Sequence, residues 1–495
     1  MDGRKSVIAR FRDRFVRRST LVLFLSVAFA LIVFPGAPRE HHPIKTVKTT
    51  MVVASGDQSS SVNPPPLPAA AIVAGSGLPT SVLVSKPPGL NKIQHFIFIL
   101  QENRSFDSYF GTYPGADGLP SDVCLAGPSG TPCVAPHRDL KTVDFDGPHL
   151  SADAQTAING GQMNGFLTAA YAKAARNKLP ACGTAKTPCK PGQDPRDVMA
   201  WHDYRDIPNY WNYAHLYVLQ DHMFSSAASN TLPNRLYMLA GQSVTADSTA
   251  TATKTLTYRI PAITDTLTAD DVSWRYYVAN GDQVDARGEV IPNALQIAEG
   301  PLHFSLLNPL PALLGMQSDS AQRGRVVSTE QFYQDARNGT LPAVSWVVPS
   351  LALSEHPPKD IRVGMSYVTG LVDAVMASPD WNSTAIFISY DEWGGFYDHV
   401  PPPRIDRYGL GMRVPGLVIS PYARQGYVDH TVYSTASWLR LIEERFNLRP
   451  LTLRDAWAND MRADFDFTQL PRAPIGLSPT IHGTAYPVAK QTIQH

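Results

Sequence analysis

Neither sign of charge is in excess in this chain. Lys+Arg and Asp+Glu both number 43 among 495 residues, for a formal net charge of +0. That balance argues against nucleic acid, or any anionic surface read by bulk charge, as the main partner. Cysteine is scarce: there are four, and no C-x-x-C pair among them. A zinc knuckle built from cysteine ligands is therefore the weaker reading of those residues. There is no internal repeat, which sets solenoids and propellers aside. The N-terminal apolar run, residues 21–34, would be roughly 21 Å long as a helix, against ~30 Å for a bilayer core.

Apolar residues make up 43% of the chain and aromatics 9%, enough to build a core. Pro 42 and Gly 34 imply many loops, where functional sites tend to lie. Arg10, Arg12, Arg14, Arg17 and Arg18 precede the short apolar run. Residues 1–37 thus read as an export signal, with an uncleaved anchor as the alternative. Residues 38–91 form a Pro/Ser/Ala-rich linker marked by Pro64-Pro65-Pro66 and Pro87-Pro88. The catalytic domain is expected over 92–470 and a tail over 471–495. Cys124 and Cys133 are close in sequence, as are Cys182 and Cys189. An even count in close pairs suggests two local disulfides in an oxidising compartment, with connectivity left open. Such a protein would be periplasmic, extracellular or held at the cell surface.

Two acidic motifs each follow a short apolar run. Ile97-Phe98-Ile99-Leu100 leads into Gln101-Glu102-Asn103-Arg104, and Ala385-Ile386-Phe387-Ile388 leads into Ser389-Tyr390-Asp391-Glu392. Runs rich in β-branched and aromatic residues read as buried parallel strands. Strand signals alternating with helical ones, such as 437–446 with Trp438, Leu441 and Ile442 on one face, imply an α/β fold with helices on both sides of the sheet. The periodicity predicts a helix through 210–219, a strand near 272–277, another over 413–420, and a helix starting near Leu236 behind a turn. The cysteine-bearing 112–193 region reads as a loop-rich insertion above the sheet, and the 245–340 region, an insertion as well, alternates short strand and helix signals.

Ligands of open α/β sheets sit at the carboxyl ends of strands. Glu102, Asn103, Asp391 and Glu392 would offer hard oxygen donors there, suited to a divalent cation. Adjacent carboxylates repel, and a cation relieves that repulsion. The bland alternatives are a helix cap by Asn103 or Ser105 and a solvated acidic turn. Thr231, in Ser229-Asn230-Thr231-Leu232-Pro233-Asn234-Arg235, could be a metal-activated nucleophile or merely a helix cap. Arg235 could hold phosphate oxygens. His149 and His356 lie in proline-bounded loops, and could bind phosphate or protonate a leaving group if they are not simply exposed.

Those motifs resemble the bacterial phosphoesterase family, which groups non-haemolytic phospholipases C with certain acid phosphatases. Gln101-Glu102-Asn103-Arg104-Ser105-Phe106-Asp107 resembles its opening signature, Thr231-Leu232-Pro233-Asn234-Arg235-Leu236-Tyr237 its nucleophile segment, and Tyr390-Asp391-Glu392-Trp393-Gly394-Gly395-Phe396-Tyr397-Asp398-His399 its second metal motif. Arg413-Val414-Pro415-Gly416 and Leu439-Arg440-Leu441-Ile442 resemble its closing strand and helix. The family order is kept from about 92 to 467. The resemblance implies an alkaline-phosphatase-like α/β sandwich with a central, mostly parallel sheet. It implies one divalent metal (Ca, Zn or Mg) on Glu102, Asn103, Asp391 and Glu392, with Thr231 as nucleophile and further ligand. His149 and His356 would be active-site histidines, and Asp398 and His399 would support the site. Trp393-Gly394 stands where the family often has Asn-Asp, and the turn before Thr231 lacks the usual glycine.

The expected activity is hydrolysis of a phosphoester or phospholipid, phospholipase C-like on the strength of the threonine and the closing helix. Acid phosphatase on the same site is the alternative, and phosphonate- or sulfate-ester cleavage a minor one. A catalytically inactive, surface-tethered binding protein is the reading of another class. Membrane association would come through the N-terminal segment or the substrate.

Overall fold

A computed structural model of the chain describes residues 89–480, except 128–131, 184–185, 249–256, 280–282, 285–289 and 292–303. The N-terminal apolar run and the Pro-rich linker lie outside the described residues. One sheet holds β1 (His95–Gln101), β2 (Val218–Gln220), β3 (Trp274–Val278), β4 (Val326–Ser328), β5 (Val344–Val348), β6 (Thr384–Tyr390), β7 (Gly416–Ile419) and β8 (Tyr427–Asp429). Their order is β8-β2-β7-β6-β1-β5-β3-β4. All pairings are parallel except the two made by β7, with β6 and with β2.

β1 lies at the centre and is covered on both faces, which is why its sequence is an unbroken apolar run rather than an alternating one. Phe98 stacks on Phe387 of β6 at 5.1 Å and lies 4.9 Å from Trp438, ring to ring. Trp438 belongs to the helix Thr435–Phe446, which packs beside the helix Thr231–Ala240. On the opposite face of β1, the Gln101 amide donates to the carbonyl of Gly364 in the helix Ile361–Met376. That helix contacts another, Pro208–Leu216. The sheet is thus flanked by helices on both sides, as the alternation of apolar runs predicts.

Three local expectations differ from the structure. The helical rhythm over 210–219 ends at Leu216, and Val218–Gln220 turns into β2. The helix expected from Leu236 begins at Thr231, because Pro233 in a first turn forfeits an N–H that has no helical partner anyway. The 112–193 insertion holds two helices, Ser151–Ile158 and Phe166–Arg176, with an apolar cluster of its own. That cluster includes Trp393 and Tyr397, so the insertion packs directly on the segment after β6. The cysteines pair as neighbours, Cys124 with Cys133 and Cys182 with Cys189. No helix among the described residues is long and apolar enough to cross a membrane.

Candidate active site

The register of the two central strands brings the acidic motifs together. Gln101 of β1 pairs with Tyr390 of β6, so Glu102 and Asp391 leave the sheet side by side. The Asp391 N–H donates to the Gln101 carbonyl at 3.0 Å, and the Arg104 N–H to the Glu392 carbonyl at 3.1 Å. Glu102, Asn103, Asp391 and Glu392 are all buried, none more than 2% exposed. Asn103 has φ 63, a left-handed conformation that asparagine tolerates better than most residues.

Burial raises the Asp391 and Glu392 carboxyls well above the ordinary carboxylate range. Repulsion from Glu102 raises Asp391 further, and repulsion from Asp391 raises Glu392 further. Only part of this charge is answered by the protein. The Arg235 guanidinium donates to Glu102 Oε1 at 2.9 Å and to Asp391 Oδ2 at 3.3 Å, and the Gly394 N–H to Glu392 Oε2 at 2.7 Å. Asp391 Oδ1, Glu392 Oε1 and both polar atoms of the Asn103 side chain are buried with no hydrogen-bond partner among the described residues. Leaving such atoms unpaired costs about 1–3 kcal/mol each, more for charged ones. A divalent cation suits this donor set, since three carboxyls and an amide oxygen supply hard ligands and net negative charge.

Thr231 is the first residue of its helix, with Asn230 in the cap position. Asn230 Oδ1 accepts from the Ser248 N–H at 2.8 Å, and Ser248 Oγ accepts from the Leu232 N–H at 3.0 Å. Those contacts fix the turn that carries Thr231 and leave its hydroxyl out of the capping. Arg235, one turn along the same helix, points its donors at the carboxylates and at the carbonyls of Leu100 and Leu307. The phosphate-holding role expected of it from sequence would need those donors elsewhere.

His149 reaches the site because glycine lets two turns touch. A Cβ on Gly147 would stand 2.3 Å from the Gly394 carbonyl oxygen, so the turn before His149 sits directly on the turn after Glu392. His149 Nε2 then lies 3.9 Å from Glu392 Oε1, while Nδ1 meets the Gly147 carbonyl at 2.7 Å. Burial, helped by the nearby Lys173 ammonium, lowers His149 to about 4. The ring is therefore neutral near pH 7, with its proton on Nδ1 and its lone pair on Nε2. His356 is its neighbour, ring centroids 5.9 Å apart, with Nδ1 against the Pro357 carbonyl at 2.6 Å. Asp146 joins them; ligand atoms of Asp146, His149 and His356 lie within 4.8 Å of one another.

Asp398 and His399 have other partners. Arg413 donates to Asp398 and to Asp107 at 2.9 Å each, and His399 Nδ1 lies 2.8 Å from Asp107. This ionic knot fixes the short helix Phe106–Phe110 behind the Glu102-Asn103 turn; none of the expected metal ligands is among its hydrogen-bond partners.

Arg104, Asp144 and Glu355 went unrecognised in the sequence reading, although Arg104 and Glu355 stand inside motifs already singled out. Arg104 is fully buried and donates to the Glu355 carbonyl at 3.0 Å, to the Tyr109 hydroxyl at 3.0 Å, and pairs with Asp144 at 3.1 Å. It thereby braces the loop of His356 and the strand of chain leading to His149. The Glu355 carboxyl accepts from Tyr109 at 2.5 Å, from Tyr390 at 3.1 Å and from Tyr210.

Two expected results follow from this packing. Gly394 has φ +65, and a Cβ there would come within 2.6 Å of the Asn103 carbonyl oxygen. Gly394→Ala should displace Asn103 and lower kcat/KM roughly 100-fold, as read by steady-state assay. Burial, only partly offset by the tyrosine hydroxyls and Arg104, lifts Glu355 from 4.5 to about 7. Between those values the folded chain keeps a proton that the unfolded chain loses, so stability falls as pH rises through that window. Glu355→Gln cannot titrate. Urea unfolding at about pH 5 and about pH 8 should show wild type losing up to about 3 kcal/mol more than the variant.

The Phosphoesterase family model matches residues 93–449. Phospholipase C B of Mycobacterium tuberculosis (strain ATCC 25618 / H37Rv) is 30% identical over 426 residues, covering 78% of this chain and 80% of that protein. Non-hemolytic phospholipase C of Burkholderia pseudomallei (strain K96243) is 29% identical over 460 residues, 80% of this chain and 61% of that protein. Among solved structures, the phosphonate monoester hydrolase of Agrobacterium radiobacter aligns with a TM-score of 0.29 at 12% identity, over 49% of this chain and 69% of that one. That likeness is too slight to bear on the fold described above.

Proposed function

The chain belongs to the phosphoesterase family of hydrolases acting on phosphoester bonds, and from that premise we propose that it is an exported, phospholipase C-like phosphodiesterase with Thr231 as nucleophile. The observation that carries the reading is the buried donor set at the ends of β1 and β6, with Asn103, Asp391 and Glu392 each holding polar atoms that no described residue satisfies. Glu102, Asn103, Asp391 and Glu392, with the Thr231 hydroxyl, would hold one divalent cation. When bound, that cation supplies charge neutralisation at the phosphoryl oxygens and lowers the pKa of a ligating hydroxyl.

The chain's own groups divide the remaining work. The Thr231 hydroxyl loses its proton to solvent, its oxygen attacks phosphorus in line, and the ester bond to the leaving alcohol breaks, leaving a phosphothreonine diester. His149, neutral with its lone pair on Nε2, is suited to accept a proton rather than to give one. It takes a proton from the water whose oxygen attacks phosphorus; the Thr231 Oγ–phosphorus bond breaks, the threonine oxygen regains a proton from solvent, and the phosphorylated head group leaves. His356 gives the departing alcohol oxygen its proton. Arg235 holds Glu102 and Asp391 in place and limits their repulsion. Two disulfides in close pairs support an exported protein.

Purified enzyme should hydrolyse p-nitrophenyl phosphorylcholine faster than p-nitrophenyl phosphate, and a chelator should abolish the reaction until divalent cation is restored. A preference for the monoester would move the assignment to acid phosphatase. Hydrolysis of neither would favour a binding protein on this fold.

A further inference from the structure

A second group of buried carboxylates lies outside the expected metal ligands. Asp139, Asp144 and Asp197 are 5%, 0% and 2% exposed, and one oxygen from each lies within 4.8 Å of the others. Two calcium–oxygen bonds end to end span about 5 Å, so one ion can reach all three. Backbone donors fix two of them. The Lys141 N–H donates to Asp139 Oδ1 at 2.8 Å, and the Phe145 N–H to Asp197 Oδ2 at 3.1 Å. Arg104 and His202 take the Oδ2 of Asp144, at 3.1 Å and 3.4 Å. Asp144 Oδ1 is left to the cluster, buried and with no hydrogen-bond partner among the described residues.

The cations beside the cluster do not balance its charge. Arg104 answers Asp144, and the Lys141 ammonium is shared between Asp197 Oδ1 at 3.0 Å and Asp139 Oδ2 at 3.2 Å. His202 adds a charge only when protonated. Three buried carboxylates thus face two permanent cations, and a buried carboxylate left uncompensated is costly. Lys141 is also replaceable. Its side chain is 39% exposed, and with Asp139 and Asp197 it lines a cavity of about 740 Å³. Arg196, on the same wall, is engaged by Asp194. The flexible stem of Lys141 lets its ammonium swing out, which opens the carboxylates to an ion entering from that cavity.

We propose that Asp139, Asp144 and Asp197 bind a calcium ion, separate from the catalytic centre, that fastens the segment leading to His149. Asp144 stands five residues before His149 and holds Arg104, the neighbour of Asn103. The donors are all hard oxygens, which suit calcium rather than zinc or copper. Water from the cavity can complete the shell without the rigid octahedron that magnesium requires. Competition from Lys141 puts the affinity near the ~10⁻⁴–10⁻³ M of extracellular calcium modules, so the ion is lost on gel filtration. The site does not depend on the diesterase reading. Its test compares thermal unfolding of wild type, Lys141→Met and Asp197→Asn in calcium or magnesium, with the catalytic centre the same in all three. The calcium concentration giving half the rise in Tm should be at least about ten-fold lower in Lys141→Met than in wild type. The further rise above ~1 mM calcium should be absent from Asp197→Asn. Equal calcium responses in Lys141→Met and wild type, or a response to magnesium as large as that to calcium, would overturn the site. Calorimetric titration of Asp391→Asn, whose catalytic donors are impaired, should still show one calcium ion bound. No binding there would overturn the proposal with the cluster itself unaltered.

Discussion

Thr231→Ala should lower kcat for p-nitrophenyl phosphorylcholine by roughly 10⁴-fold or more, as loss of a nucleophile does elsewhere. Its melting temperature should stay within about 2 °C of wild type. The separation of the two readouts comes from the local structure. Asn230 takes the cap position and Ser248 takes the Leu232 N–H, so the threonine hydroxyl holds no helix end together. Alanine is also a better helix former than threonine at that position. Residual activity within about ten-fold of wild type would remove covalent catalysis by Thr231.

Asp391→Asn should abolish metal retention with the fold intact. Elemental analysis after gel filtration should give about one divalent ion per wild-type chain, and an affinity reduced at least about 100-fold in the variant. The metal-free proteins should show the reverse order of stability. Asp391 is buried beside Glu102 and Glu392, and Arg235 is the cation that pairs with it directly. Asparagine keeps an acceptor for Arg235 and removes the repulsion, so the metal-free variant should be at least as stable as metal-free wild type. Unchanged metal content in the variant would sink this ligand set.

Much of the site was legible in the sequence because its two halves each follow a strand whose composition betrays burial on both faces. Glu102-Asn103 and Asp391-Glu392 could be placed at strand ends from those runs alone. What brings them into contact is the parallel pairing of β1 with β6, Gln101 against Tyr390, and strand order is a tertiary outcome that no local pattern encodes. The same holds for Arg235. As a residue one turn beyond Thr231 it could be read as a phosphate clamp, but its guanidinium is drawn to Glu102 and Asp391, the strongest buried charges within reach. Glu355 shows the limit most clearly. Its partners Tyr109, Tyr210 and Tyr390 come from three distant segments, so its role as a brace beside His356 exists only in the folded chain. The short helices of the insertion were hidden for a simpler reason. Their alanines, such as Ala169, Ala170 and Ala174, give little amphipathic contrast, and glycine, proline and cysteine on either side read as loop.

The most direct test of the account is the fate of oxygen when dihexanoylphosphatidylcholine is hydrolysed in ¹⁸O-labelled water, with products identified by mass spectrometry. The account predicts phosphorylcholine carrying one ¹⁸O atom and unlabelled dihexanoylglycerol. Choline with phosphatidic acid, label in the glycerol hydroxyl, or an intact diester beside rapid cleavage of p-nitrophenyl phosphate would contradict it.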